Sequence, residues 1–143
     1  MKFSVALVGL GNIGMFYDLG LRDRVLTHAR AIALHPSYEL VASIDSNLDS
    51  RKRFTREYGS PAFSNVSALA SFSPDIVIVA TPTNTHLEIV GEILKACSPK
   101  AILCEKPLAS SVEPAELLLS RCNENGVQLF LNYIRRADPG VLD

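Results

Sequence analysis

The sequence carries no excess of charge of either sign. Its 14 basic side chains stand against 15 acidic ones, for a formal net charge of −1, so it lacks the electrostatic footprint of a nucleic-acid partner and none is expected. Cysteine is too scarce for a disulfide framework. Cys97, Cys104 and Cys122 are odd in number, show no CxxC spacing and fall in segments patterned as helix or strand, as expected of buried, reduced thiols in a cytoplasmic protein with no metal site. No apolar run approaches the roughly 18 residues a membrane span requires. Met1 and Lys2 ahead of the apolar Phe3 to Leu10 resemble the start of a secretory signal, yet no small-residue cleavage site follows. Internal repeats, low-complexity stretches and linkers are also missing up to about Arg135.

What is present is a chain of 143 residues, 48% hydrophobic and 20% charged, enough for one compact domain that hides roughly 70% of its unfolded surface. Short apolar runs alternate with longer segments of helical period, the mark of βαβ units and a parallel sheet covered on both faces. Strands are expected at Phe3 to Gly9, Glu39 to Asp45, Ala62 to Phe63, Ile76 to Ala80, Ala101 to Cys104 and Gln128 to Asn132. Helical faces are formed by Leu87, Val90, Leu94 and Cys97 and by Ala115, Leu118, Leu119 and Cys122. Thr85 with Glu88 has the pattern of a capping box, and Ser111 that of an N-cap. The expected fold is α/β, a doubly wound parallel sheet of the Rossmann dinucleotide-binding type with six strands in the order 3-2-1-4-5-6, over residues 1–134. Residues 135–143, with turn formers and little apolar content, are expected to begin a connection out of that domain.

Gly9, Gly11 and Gly14 form a GxGxxG directly after the first strand, the context in which this motif binds a dinucleotide. The first glycine permits the tight turn, the second lets backbone approach the pyrophosphate, and the third allows close packing of helix on strand. Amides at the following helix start supply donors for the anion. Asp45, at the end of the second strand, is placed to accept hydrogen bonds from an adenosine ribose diol and to repel a 2′-phosphate, which favours NAD over NADP; its alternative role is a turn or helix N-cap. Arg51, Lys52 and Arg53 follow, either softening that preference or forming a solvated helix face. Asp45 lies 31 positions after Gly14, where about 20 is usual. The helical pattern resumes at His28 with Thr27 as N-cap, so an insertion of roughly Met15 to Leu26 is expected. It is either a lid or substrate-mouth element, with Arg22 or Arg24 meeting an anion, or a longer surface excursion.

Two further loops follow strand ends: Ala80, Thr81, Pro82, Thr83, Asn84, Thr85, His86 and Cys104, Glu105, Lys106, Pro107. In an open parallel sheet such loops converge with the glycine turn on one crevice, and Lys106 beside Glu105 is a candidate for proton management. With GLGNIG, ASID, ATPTNTH, CEKPLA and LNYIRR in order, the sequence resembles the glucose-fructose oxidoreductase, inositol dehydrogenase and rhizopine-catabolism family. The resemblance implies cofactor contacts at Gly9, Gly11, Asn12, Ile13 and Gly14 and ribose recognition by Asp45. It implies a cofactor-facing loop at Thr81, Pro82, Thr83 and Asn84, with His86 beside it or simply an exposed first-turn residue. It makes Glu105, Lys106 and Pro107 the family signature, whose lysine assists catalysis and whose Lys to Pro peptide is often cis, the plainer alternative for Glu105 and Lys106 being a surface ion pair. It sets Asn132 to Arg135 near the nicotinamide. His28 and His35 are expected to have no catalytic role.

The resemblance further implies an NAD-dependent oxidoreductase, with NADP possible, passing hydride between nicotinamide and a sugar-like alcohol or ketone. Family members carry a second α/β domain with the substrate pocket, a catalytic histidine and the oligomer interface, so the 143 residues alone are expected to be inactive. The alternatives are a non-catalytic dinucleotide-sensing regulatory module, which the presence of Lys106 disfavours, and an adenosylmethionine-dependent methyltransferase, which the Glu-Lys-Pro step disfavours.

Overall fold

The valine- and isoleucine-rich runs suit strands buried on both faces. In the computed structural model, which describes residues 1–21, 23–134 and 140, they form β1 (Phe3–Val8), β2 (Tyr38–Ile44), β3 (Ala62–Phe63), β4 (Ile76–Val79), β5 (Ala101–Glu105) and β6 (Gln128–Asn132). All pairings are parallel, in the order β3-β2-β1-β4-β5-β6, as the sequence pattern predicts. β5 runs one residue further than expected because Glu105 pairs with Asn132. Helices α1 (His28–Leu34) and α2 (Leu48–Tyr58) lie on one face, where Ala29, Ile32 and Phe54 pack on Val5, Leu7 and Ile78. Helices α3 (His86–Ala96) and α4 (Val112–Glu124) cover the other, burying Val90, Ile93, Leu118 and Cys122 against Ala6, Val77 and Ile102. The chain winds outward from β1 in one direction and from β4 in the other, so a crevice opens between their carboxyl ends. No helix among the described residues is long and apolar enough to cross a membrane.

Helix starts match expectation in part. Thr27 caps α1, its hydroxyl accepting from the Arg30 amide at 3.4 Å. The Thr85 and Glu88 box does not form. A 3-10 turn, Thr83–Thr85, runs into α3, and the Thr85 hydroxyl turns back to the Pro82 carbonyl at 2.7 Å. Ser111 occupies the N-cap position of α4 with extended backbone, but its side chain makes no capping bond.

The expected insertion is a splice in a helix. After the glycine turn the Met15 amide donates to the Gly11 carbonyl at 2.8 Å and the Tyr17 amide to the Asn12 carbonyl at 3.0 Å, and the chain then leaves. It returns so that the His28 and Ala29 amides donate to the Ile13 and Gly14 carbonyls at 3.1 and 3.0 Å. Those carbonyls would be served by residues four positions on in an uninterrupted helix. Removing eleven residues of the roughly Met15–Leu26 excursion would set His28 and Ala29 four positions after Ile13 and Gly14 and restore the usual interval of about 20 to the acidic residue.

The excursion is fastened at its base by a residue that periodicity does not single out. Asp18, 1% exposed, accepts from the Leu26 amide at 2.6 Å, the Thr27 amide at 2.9 Å and the Thr27 hydroxyl at 2.7 Å. A buried carboxylate must be satisfied in this way to be tolerated. Met15 is fully buried, and Phe16 and Leu19 pack on the same core cluster. Arg22 lies outside the described residues. Asp18→Ala strands the Leu26 and Thr27 donors and is expected to destabilise the fold by about 2–3 kcal/mol. Urea unfolding should read this as a lower midpoint with an unchanged slope.

Candidate cofactor and active site

Two of the three glycines have reasons internal to the protein. Gly9 adopts φ +98°, and a Cβ there would stand 2.6 Å from the Ala80 carbonyl oxygen. A Cβ on Gly14 would overlap the Gly9 carbonyl. The turn is held flat against both neighbouring strands, with the Gly9 amide donating to Ile44 at 2.8 Å and the Ala80 amide to Val8 at 2.7 Å. Gly11 has no such reason, because nothing lies within 4 Å of a Cβ built there. The amides of Gly11, Asn12 and Ile13 donate to no acceptor among the described residues, and Gly11 and Asn12 are exposed. The turn thus presents a row of free donors over space that the protein leaves open.

Asp45 stands at the end of β2 and reaches back to this turn. Its Oδ2 accepts from the Leu10 amide at 2.7 Å and its Oδ1 from the Asn47 amide at 2.7 Å. The capping role belongs to Asn47, whose side chain accepts from the Asp49 and Ser50 amides at 2.9 and 3.0 Å. An ionised carboxylate offers about four acceptor sites, so each Asp45 oxygen retains capacity beyond its backbone bond. Arg51 folds over the strand end, its guanidinium donating to the carbonyls of Asp45 and Ser46 at 2.7 and 2.8 Å.

Two clefts meet along the carboxyl edge of the sheet. One of about 460 Å³ is bordered by Gly9, Gly11, Asp45, Ser46 and Asn65, the other of about 610 Å³ by Ile13, Tyr17, Thr83, Glu105, Lys106, Asn132 and Tyr133, and both touch Ala80, Thr81 and Pro82. The sequence-predicted loops therefore converge as the topology requires. Asn12, Asn84 and Pro107 border neither cleft. The Lys106–Pro107 peptide is cis. Arg135 lies outside the described residues.

At the floor of the larger cleft Glu105 does not pair with Lys106. Its Oε1 is met by His28 Nε2 and by the Asn132 side-chain amide, each at 2.6 Å. Burial pushes the Glu105 carboxyl up, but the hydrogen bonds from His28 and Asn132 outweigh it, and the group sits below its ordinary value. The Lys106 backbone amide also donates to the carboxylate. Lys106, exposed and in no ion pair among those residues, is left free to face the cleft. His28, for which the sequence suggests no catalytic role, is thus part of the site's architecture as the anchor of Glu105. No local pattern could show this, since Glu105 is 77 positions away in sequence. His35 is exposed, its Nδ1 accepting from the Ser37 amide at 3.2 Å.

His86 opens α3 beside the loop after β4, as the resemblance implies, and is not the exposed first-turn residue of the alternative. It is 1% exposed, and its ring nitrogens face the Leu108 carbonyl at 3.0 Å and the Thr81 carbonyl at 2.9 Å. The imidazole ties the loop after β4 to the loop after β5 from behind and borders neither cleft. Cys104, next to Glu105, is buried and its thiol is pushed up to about 12 by burial and by the adjacent carboxylate. That leaves no thiolate nucleophile at this position. Arg24 lies 4.0 Å from Asp23, both well exposed, and borders neither cleft.

The model of an oxidoreductase family, described as an NAD-binding Rossmann fold and covering glucose-fructose oxidoreductase, inositol dehydrogenase and MocA, matches residues 3–133. The chain belongs to this family. It is 30% identical over 140 residues to scyllo-inositol 2-dehydrogenase (NAD(+)) of Bacillus subtilis, covering 96% of this chain and 37% of that protein. It is 31% identical over 130 residues to glucose-6-phosphate 3-dehydrogenase of the same organism, covering 91% and 33%. Among solved structures it is similar to the WlbA dehydrogenase of Bordetella pertussis in complex with NADH and UDP-GlcNAcA, with a TM-score of 0.83 at 27% identity, covering 99% and 40%. The chain therefore spans less than half the length of these family members.

Because Glu105 is held below its ordinary value near 4.5, its contribution to stability is complete above that value and is lost as pH falls through the lowered one. Asn132→Ala removes one of the two bonds that hold it down. The Glu105 carboxyl, followed by carbon NMR, should then titrate at higher pH than in the unaltered chain.

Proposed function

We propose that the protein binds NAD along the joined clefts and serves an oxidoreductase that moves hydride between nicotinamide and a carbon of a sugar-like alcohol or ketone. The observation that carries this reading is Gly11, a glycine that nothing in the protein requires, set among unpaired amides over open space. Those features fit a pyrophosphate approaching the backbone. Gly9, Gly11, Asn12, Ile13 and Gly14 would hold the phosphates, and Asp45 would accept from the adenosine ribose. The carboxylate of Asp45 disfavours a 2′-phosphate, while the guanidinium of Arg51 beside it keeps NADP a weaker second ligand. Thr81, Pro82 and Thr83 would line the middle of the trough, supported by His86 from behind, with Asn84 and Pro107 at its margin and Arg135 beyond β6.

When bound, the nicotinamide supplies the hydride acceptor or donor. The chain's own part is positioning and proton handling. Lys106 is the catalytic candidate: a cation in no ion pair among the described residues, set in the larger cleft and suited to hold the substrate's hydroxyl or carbonyl oxygen and manage its proton. Glu105 is anchored by His28 and Asn132. The substrate class is supported by the relatives named for inositol and glucose 6-phosphate and by the similar structure holding a nucleotide sugar. The three cysteines, all free, agree with the cytoplasm as its place.

Calorimetric titration of the chain should show NADH binding more tightly than NADPH. Gly11→Ala, which meets no protein atom, should leave the thermal midpoint in place while weakening NADH about tenfold or more. Failure of the unaltered chain to bind either dinucleotide would overturn the assignment.

A further inference from the structure

The insertion does more than interrupt a helix. Its base is over-determined: Asp18 is buried under three hydrogen bonds, Met15 is fully buried, and Phe16 and Leu19 pack into the core. Between these anchors sits Tyr17, which joins neither core cluster of the described residues. It is 57% exposed, pairs with no other aromatic ring and has no hydrogen-bond partner for its hydroxyl among the described residues. Its backbone is nonetheless fixed, since the Tyr17 amide donates to Asn12 of the glycine turn at 3.0 Å. Its side chain borders the larger cleft together with Ile13, Lys106 and Asn132. A buried carboxylate is a costly device for holding an idle surface loop. Here it fixes the backbone from which one large aromatic side chain stands beside the cleft that contains the catalytic candidate.

We propose that Tyr17 is a specificity-determining residue of the cofactor site, the aromatic wall against which the nicotinamide ring of the bound dinucleotide rests. The inference builds on the proposed function, which assigns the larger cleft to the nicotinamide end. Flat rings gain from offset or edge-to-face contact beyond the area they bury, and a ring whose backbone is already fixed loses little freedom in making that contact. The adenosine end of the trough, near Asp45 and Asn65, is bordered by other residues and not by Tyr17, so the two ends of the ligand can be separated experimentally.

The test is calorimetry with NADH and with ADP-ribose, which keeps the adenosine, pyrophosphate and second ribose but lacks the nicotinamide. The unaltered chain should bind both, NADH the more tightly. Tyr17→Ala should weaken NADH about three- to tenfold and leave ADP-ribose unchanged, with the thermal midpoint little changed because the side chain is mostly exposed and outside the core clusters. Tyr17→Phe should retain NADH binding, since the ring and not the hydroxyl makes the contact. Equal weakening of both ligands by Tyr17→Ala, or no weakening of NADH, would overturn the inference while leaving the cofactor assignment intact. So would a Tyr17→Phe variant as impaired as Tyr17→Ala. Binding of neither ligand by the unaltered chain would remove both.

Discussion

The constraint on which the rest depends is the contact of bare backbone with bare backbone where β1 ends. Gly9 lies so close to Ala80 that a single added carbon would collide with it, and Gly14 lies closer still to Gly9. This lets the chain turn sharply between two strands whose ends it continues to bond, Ile44 on one side and Ala80 on the other. A turn of that tightness leaves its outer amides pointing outward with no acceptor among the described residues. The same crowding that forbids side chains at two positions therefore leaves donors free at three others, and the binding surface is a by-product of how β1 is packed.

Charge in this molecule is placed with corresponding economy. Asp18 is buried and Glu105 largely covered, and each is held by several donors, backbone and hydroxyl in the first case and His28 and Asn132 in the second. The histidine that meets Glu105 begins α1, and the asparagine ends β6, so one oxygen atom gathers elements from opposite ends of the chain. That arrangement keeps Glu105 from neutralising its sequence neighbour Lys106, whose charge remains available in the cleft.

The sheet is legible from the sequence because its signal is local: valine and isoleucine runs, the glycine spacing and the resumption of helical period at His28 each occupy a few residues. The splice is legible as well, because the glycine turn ending at Gly14 follows β1 and Asp45 follows β2, so a longer interval between them has to be taken up by extra chain. Contacts that exist only after closure are not legible in this way. Asp18 sits in a stretch without periodicity, and its partners are defined by the loop's return. His28 has the pattern of a helix-start residue, and only the placement of β5 brings Glu105 to it. Thr85 and Glu88 match a capping pattern, but the preceding 3-10 turn draws the Thr85 hydroxyl to Pro82. The motif around His86 sets it beside the loop after β4, but only the folded chain brings the Leu108 carbonyl, 22 positions away, to its other nitrogen. The strands can be read residue by residue, while the polar residues of the site take their roles from neighbours far away in sequence.

The splice at Gly14 and Thr27 has a consequence for how such a domain can change. Because His28 and Ala29 take over the carbonyls of Ile13 and Gly14, the angular phase of α1 is set by the turn and not by the number of residues between. Ala29 and Ile32 keep facing the sheet whatever the length of the excursion. The segment between is a port in the scaffold, a place where residues can be exchanged or lengthened beside the cleft without rotating the helix that closes it.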